Sequence, residues 1–254
     1  MKTNRFGMLP VTAAVLTLAA TSQLQAQSVI SVNIDNNSTV NPTAGPNANQ
    51  AGVILSPNWN DSYYQNGTPY GVNGVANLMD NSGSTTTASY TLSAVWGAYN
   101  ILGHHPGQDA NGTYNRELLN GYFDEHGAEN IAVNGIPYGT YDIYVYFNSD
   151  TAGRVGTVGI GGTTYDFSTY GSPSVSGANG LFLQTTDTGG ANPTADYAVF
   201  TGLTGSSQTI FESTANGAGI AGFQIVAVPE PGSMALAVMG GFGVLLMKRR
   251  FKKS

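Results

Sequence analysis

The amino-acid sequence predicts an all-β fold, an antiparallel β-sandwich flanked by an apolar helix at each end of the chain. Three observations carry that expectation. Between residues 27 and 227, apolar side chains recur at every second position, the spacing that places them on one face of a strand. Glycine, asparagine, proline and serine interrupt these runs at short intervals, and glycine alone supplies 34 of the 254 residues. Helical character is confined to one internal stretch and the two termini, so layered sheets are the economical way to bury the apolar faces.

In chain order, residues 1–26 have the three parts of a secretory signal peptide. "MKTNR" is basic, "FGMLPVTAAVLTLAATS" is apolar, and "LQAQ" offers a small-residue cleavage site after Ala26. A membrane-spanning or core helix is the competing reading. It is opposed by the shortness of the stretch and the polar, Asn-rich sequence that follows at once. The body then runs from 27 to 227. "ISVNID" puts Ile30, Val32 and Ile34 on one face, and "SYTLSAVW" does the same with Tyr90, Leu92, Ala94 and Trp96. "TYDIYVYFN" is the strongest strand: Tyr141, Ile143, Val145 and Phe147 face one way, Asp142, Tyr144 and Tyr146 the other. Further strands are expected in "NIAVNG", "VGTVGIGG", "TTYDF", "GLFLQ", "DYAVFTG", "QTIFES" and "AGFQIVAV". "YNRELLNGYFDEHG" has helical character for a turn or two. A β-helix competes because the chain is rich in Gly and Asn, but no fixed-period repeat supports it.

Residues 228–254 form a separate module. Pro229 and Pro231 break regular structure and keep the junction extended. Ser233 to Met247 is an uncharged apolar run, short of the roughly 20 residues that a bilayer core of about 30 Å requires unless its flanks contribute. Lys248, Arg249 and Arg250 follow and would hold the C-terminus on the cytoplasmic side of the inner membrane. The Pro229-Glu230-Pro231 triplet, the apolar helix and the basic cluster, in that order, resemble the PEP-CTERM sorting signal of Gram-negative bacteria. The resemblance implies recognition by a membrane-embedded exosortase, removal of the tail, transient residence in the inner membrane, and a link to exopolysaccharide at the cell surface or in the matrix. A plain C-terminal membrane anchor is the alternative.

Charge narrows the classes of partner. Seven of the nine Lys and Arg lie in the terminal segments, leaving Arg116 and Arg154 against fourteen Asp and Glu between Gln27 and Val228, a formal charge of −12. Such a body repels nucleic acid and anionic lipid, whose binding relies on cations neutralising phosphate. The acidity serves solubility in the simplest reading and cation binding in the sharper one. The absence of cysteine excludes a disulfide framework and a thiol nucleophile.

Catalytic signatures are scarce. Gly-x-Ser-x-Gly, His-Glu-x-x-His and the P-loop pattern do not occur. "GTVGIGG" lacks dinucleotide-fingerprint spacing and reads as a hairpin with a bulge. His104 and His105, with Asp109 nearby, read as an exposed polar loop, since adjacent side chains diverge in extended chain; a metal is the sharper reading. Asp124, Glu125, His126 and Glu129 cluster in sequence and could serve glycoside hydrolysis, although adjacent acids are more often a solvated surface. A Ca²⁺ site of Asp, Asn and carbonyl oxygens is compatible with the composition, with no ligand set singled out; no other cofactor is expected.

Aromatic residues give the better lead. "SPNWNDSYYQNG" sets Trp59, Tyr63 and Tyr64 among Asn58, Asn60 and Asp61 in a segment too polar for a core strand. Rings stacking on the apolar faces of sugars, with short polar side chains alongside, make Trp59, Asp61, Tyr63 and Tyr64 the candidate ligand-binding residues. The alternative for Trp59 is a cap on the edge of the sandwich; Trp96 reads as core. The layout "LLNGYFD", "NIAVNGIPYGTYDIYVYFN" and "GIAGFQIV" is similar to galactose-binding-like jelly rolls of secreted bacterial proteins. That resemblance implies a central strand at "YDIYVYF", a last core strand at "AGFQIV", and carbohydrate recognition. The expectation is therefore an exported, non-catalytic module associated with extracellular polysaccharide. A polysaccharide hydrolase or lyase, and a purely structural matrix protein or adhesin, are the alternatives.

Overall fold

The computed structural model describes residues 27–35, 50–63, 74–92, 98–100, 112–123, 128–171, 181–214 and 217–229. In chain order these residues form β1 (Val29–Asp35), β2 (Asn60–Tyr63), β3 (Gly74–Val75), β4 (Ser89–Leu92), β5 (Ala98–Asn100), α1 (Asn115–Leu118) and β6 (Gly121–Phe123). There follow β7 (Ala128–Asn134), β8 (Thr140–Asn148), β9 (Val155–Ile160), β10 (Thr163–Ser168), β11 (Tyr197–Thr204), β12 (Ser207–Thr214) and β13 (Gly219–Ala227). One sheet has five strands in the order β11-β8-β13-β1-β2, the other six in the order β10-β9-β12-β7-β4-β3. Neighbours are antiparallel throughout except β1 and β2, which run parallel. β5 and β6 make a small ribbon, with β6 packed against β13 and β1.

Period-two patterning builds the core. Tyr141, Ile143, Val145 and Phe147 of β8 and Ile30, Val32 and Ile34 of β1 meet Tyr90, Ile131, Val133, Val158 and Ile210 of the second sheet in one buried cluster. Burying each large apolar side chain contributes roughly 1.5–3 kcal/mol. Rings lock the two layers: Phe147 stacks on Phe167 with centroids 3.7 Å apart, and Tyr90 meets Phe223 edge-on at 5.7 Å. β8, expected as a central strand, and β13, expected as the last core strand, lie side by side in the interior of the five-stranded sheet. β13 is buried on both faces except at Ala227, so something must cover the outer side of its sheet.

Between β11 and β12 the chain crosses from one sheet to the other at Gly205-Ser206. The Tyr141 hydroxyl bonds the Gly205 carbonyl at 2.8 Å and lies 3.3 Å from that of Thr204, while Gln208 Nε2 donates to the same hydroxyl at 2.9 Å. "GTVGIGG" is the β9–β10 hairpin. Gly161 and Gly162, both at positive φ, close it in two residues, and the register is continuous, without the expected bulge.

Two further expectations need correction. "GLFLQ" alternates but is not a strand: Leu181 and Leu183 are exposed, and only Gln184 bridges to Tyr197. The segment is a strap across the sandwich edge. Leu183 N–H donates to Asp196 Oδ2, Thr185 N–H to the Tyr197 carbonyl, and Asp166 N–H to the Asp187 carbonyl, so the backbone of both edge strands is partly covered. The helical stretch is α1, a single turn as expected, and Gly121 opens β6 directly behind it. The polar segment after Trp59 does form a strand, β2. Asn60 satisfies its buried amide on backbone, with Nδ2 donating to the Ser31 and Met79 carbonyls and Oδ1 accepting from Met79 N–H.

Gln27 Nε2 donates to the Ala227 carbonyl and Ala227 N–H to that of Ser28, so the two ends of the described body adjoin. Both terminal helices expected from the sequence lie outside the described residues. Among those residues no helix is long and apolar enough to cross a membrane.

Candidate functional site

The second set of rings on β8 decides where a site can form. Tyr144 and Tyr146 alternate with the core residues and therefore stand on the outer face of the five-stranded sheet. A second apolar cluster covers that face: Trp59, Tyr146, Leu118, Leu119 and Tyr122 are buried there, with Val53, Tyr144, Phe182 and Tyr197 packed against them. The covering pieces come from far apart in sequence, from the loop at 51–57, from α1 and from the strap.

Buried polar bonds fasten the loop to the sheet. Tyr146 hydroxyl donates to Gln224 Oε1 and accepts from Val53 N–H at 2.8 Å. Gln224 Nε2 donates to the Ile54 carbonyl at 2.8 Å and to Ser31 Oγ at 3.1 Å, and Gly52 N–H donates to Asn115 Oδ1 at 3.0 Å, tying loop to helix. Gly52 has φ +96°, and a Cβ there would lie 2.5 Å from Gln224 Oε1, so only glycine fits. Burial holds the Tyr146 hydroxyl protonated by raising its pKa well above the usual value, which keeps it a donor to Gln224.

Where loop, helix and strap meet, an open groove of about 360 Å³ remains. Val53, Leu55, Leu181 and Phe182 give it apolar walls, Tyr197 a ring, and Thr113 and Asn115 polar edges. Leu55 and Leu181 form an exposed rim, 52% and 61% accessible. Tyr197 stacks on Tyr144 with centroids 6.2 Å apart and planes 22° from parallel, and Phe182 sits 5.1 Å from Tyr146. The result is a supported aromatic surface beside hydroxyl and amide groups, suited to a small ligand with one apolar face and many hydroxyls. Burial raises the Tyr197 and Tyr144 pKa values, and neighbouring carboxylates, Asp196 beside Tyr197 and Asp142 beside Tyr144, push the same way.

Trp59, the leading candidate from the sequence, is buried at 1% accessibility. Its Nε1–H donates to the Ser56 carbonyl at 2.9 Å and its ring meets Tyr146 at 6.2 Å and 60°. It supports the outer face from below and offers no exposed stacking surface, as in the alternative reading of a sandwich cap. Asp61 and Tyr63 lie on β2, opposite Asn33 and Asp35 of β1 at the sheet edge. Tyr64, Trp96, His104, His105, Asp109, Asp124, Glu125 and His126 fall outside the described residues, and Glu129 lies on β7. Among the described residues no group of three or more His, Cys, Asp or Glu is placed to hold a metal ion. Sequence reasoning missed Tyr197 and Phe182 as site residues; the outward side of "TYDIYVYFN" was the available signal for the face they share.

No curated protein matches the chain in sequence. Among solved structures, the chain is similar to a ruminal GH26 endo-β-1,4-mannanase at 11% identity and a TM-score of 0.26, over 50% of this chain and 22% of that one. It is also similar to TmCBM61, solved with β-1,4-galactotriose, at 9% identity and a TM-score of 0.22, over 42% of this chain and 65% of that one. The chain thus spans less than two thirds of either, and likenesses this slight carry no inference. The terminal segment is matched more directly: residues 227–250 fit the PEP-CTERM protein-sorting motif, beginning at the last residue of β13. The chain carries a PEP-CTERM sorting signal directly behind a β-sandwich body, which implies export and processing by a membrane exosortase.

Proposed function

We propose that the protein is a non-catalytic, polysaccharide-associated module of the cell surface or extracellular matrix, and that it holds saccharide in the groove on the outer face of the five-stranded sheet. The observation that supports this reading is the groove's lining. Tyr197 and Phe182 offer ring surface, Thr113 and Asn115 make one edge polar, and no charged side chain lines it among the described residues. A groove of about 360 Å³ suits a short stretch of sugar, being near the lower end of the roughly 300–1,000 Å³ typical of small-ligand sites. The signal peptide and the sorting tail would deliver the body, residues 27–227, to the polysaccharide it contacts, with the tail removed on the way. A hydrolase or lyase would draw on the acid cluster of Asp124, Glu125 and Glu129.

The test is a glycan array combined with a reducing-sugar release assay on the exported protein. Binding without release supports the proposal. Release abolished by Asp124→Asn or Glu125→Gln replaces it with an enzyme, and neither binding nor release leaves a purely structural matrix protein. Mass spectrometry of the extracellular product should find a start near Gln27 and an end near Pro229. Peptides reaching Met247 would instead indicate a retained anchor.

A further inference from the structure

The charge around the groove restricts what fits it. The residues lining it among the described ones include no acid and no base. Two carboxylates beside the stacked rings are fixed by the fold: Asp196 is buried, accepting Leu183 N–H at 2.8 Å, and Asp142, on β8, accepts Gly202 N–H at 2.8 Å. Both neighbour the stacked pair Tyr144 and Tyr197 and act on it electrostatically. The body has two cations to set against them. Arg154 is committed to Asp150 at 2.8 Å and to the Gly217 carbonyl at 2.6 Å, and Arg116 on α1 is already engaged within the fold and does not line the groove. A carboxylated, sulfated or phosphorylated sugar entering here would lose water around its charge and gain no cation in return.

Resting on the saccharide-binding reading above, we infer that the groove selects uncharged glycans and rejects anionic ones. Selection follows from the missing counter-charge, while ring stacking and hydroxyl or amide bonds, which salt does not screen, hold the neutral chain. Acidic polysaccharide in the same matrix would then be left to other proteins, and this one would partition onto the neutral fraction.

The experiment uses the full chain in a polyoxyethylene detergent, which carries no sugar to compete. Affinity for galactan, mannan, xylan and mixed-linkage β-glucan is measured beside C6-carboxylated galactan, mannan and glucan made from the same polymers. The expected result is at least about tenfold tighter binding of a neutral polymer than of its carboxylated twin, changing less than about twofold between roughly 20 and 500 mM NaCl. Tyr197→Ala should weaken that binding at least several-fold. Because that variant risks the fold, Leu55→Lys serves as the second probe: on the exposed rim, it should raise affinity for the carboxylated polymer and make it salt-sensitive. Tighter, salt-sensitive binding of the carboxylated polymers by the unaltered protein overturns the neutral-ligand inference while leaving saccharide binding intact. Failure of every polymer, neutral and charged, overturns the saccharide reading and the inference with it.

Discussion

Trp59→Ala separates two accounts of the same residue. With its ring buried against Tyr146 and its Nε1–H on the Ser56 carbonyl, Trp59 is part of the packing that holds the 51–57 loop on the sheet. A buried Trp covers roughly 150–250 Å², which at about 25 cal/mol per Å² is about 4–6 kcal/mol of transfer free energy. Measured Trp→Ala truncations in cores cost about 3–5 kcal/mol. The loop can collapse partly into the space, so about 3–5 kcal/mol is the expected loss. For a domain near 200 residues each kcal/mol moves the midpoint by about 2–4 °C, giving a fall of roughly 6–20 °C. Trp59→Phe keeps a six-membered ring but loses the N–H donor and a third of the ring atoms, at a cost of about 2–3 kcal/mol. Urea titrations of both variants, with unchanged slope, read these numbers directly. A loss below about 1 kcal/mol for Trp59→Ala would refute the buried role. Lost glycan affinity at unchanged stability would restore Trp59 as a contact residue.

Tyr141→Phe removes the hydroxyl that fastens the β11–β12 crossover and should cost about 1–3 kcal/mol in a denaturation curve, since the Gly205 carbonyl loses its bond and Gln208 Nε2 one of its two acceptors. Gly52→Ala should lose at least about 1–2 kcal/mol from its positive φ alone, with the displaced Gln224 amide adding to it, and hydrogen exchange should accelerate first at Gly52 and Val53. Asp187 accepts backbone N–H bonds from Asn192 and Gly189, which lower its pKa below the ordinary carboxylate value of about 3.9. Its stabilisation is therefore complete above that ordinary value and fades as pH falls through the lower folded one; Asp187→Asn should lose stability at neutral pH and flatten the acid limb of a Tm-against-pH curve.

The sandwich was legible because its information is local. Alternation in "TYDIYVYFN" needs only neighbouring residues, and β8 follows it, with Ile143 and Val145 inward and Tyr144 outward. "AGFQIVAV" predicts β13, but not that the strand is covered on both faces, because its cover is set by loop and helix far away. β2 was missed for a related reason. Asn60 reads as polar and therefore exposed, yet its amide is buried on the backbone of Ser31 and Met79, a partnership that becomes visible only once the strands are placed. "GLFLQ" fails in the opposite sense: its period is that of a strand, but it lies over the sheet edge with its leucines outward.

The groove lacked a sequence signature because no segment contains it. Gly52 to Leu55, Thr113 to Asn115, and Leu181 to Tyr197 are separated by more than fifty residues at each step, and none resembles a known binding motif by itself. Reasoning from a single window favoured "SPNWNDSYYQNG", where aromatic and amide residues are dense, and dense aromatics beside amides describe a buried, hydrogen-bonded support as well as a sugar platform. What distinguishes the two is which ring faces solvent. In the fold Trp59 faces inward beneath the loop, while Tyr197, in a strand that reads as ordinary core, reaches the surface where the strap crosses it. Net charge, by contrast, was legible from composition alone and survives folding. Arg154 is committed to Asp150 and neither arginine of the body lines the groove, so the constraint that an anionic ligand lacks a partner there is the part of the site's chemistry that the sequence already contained.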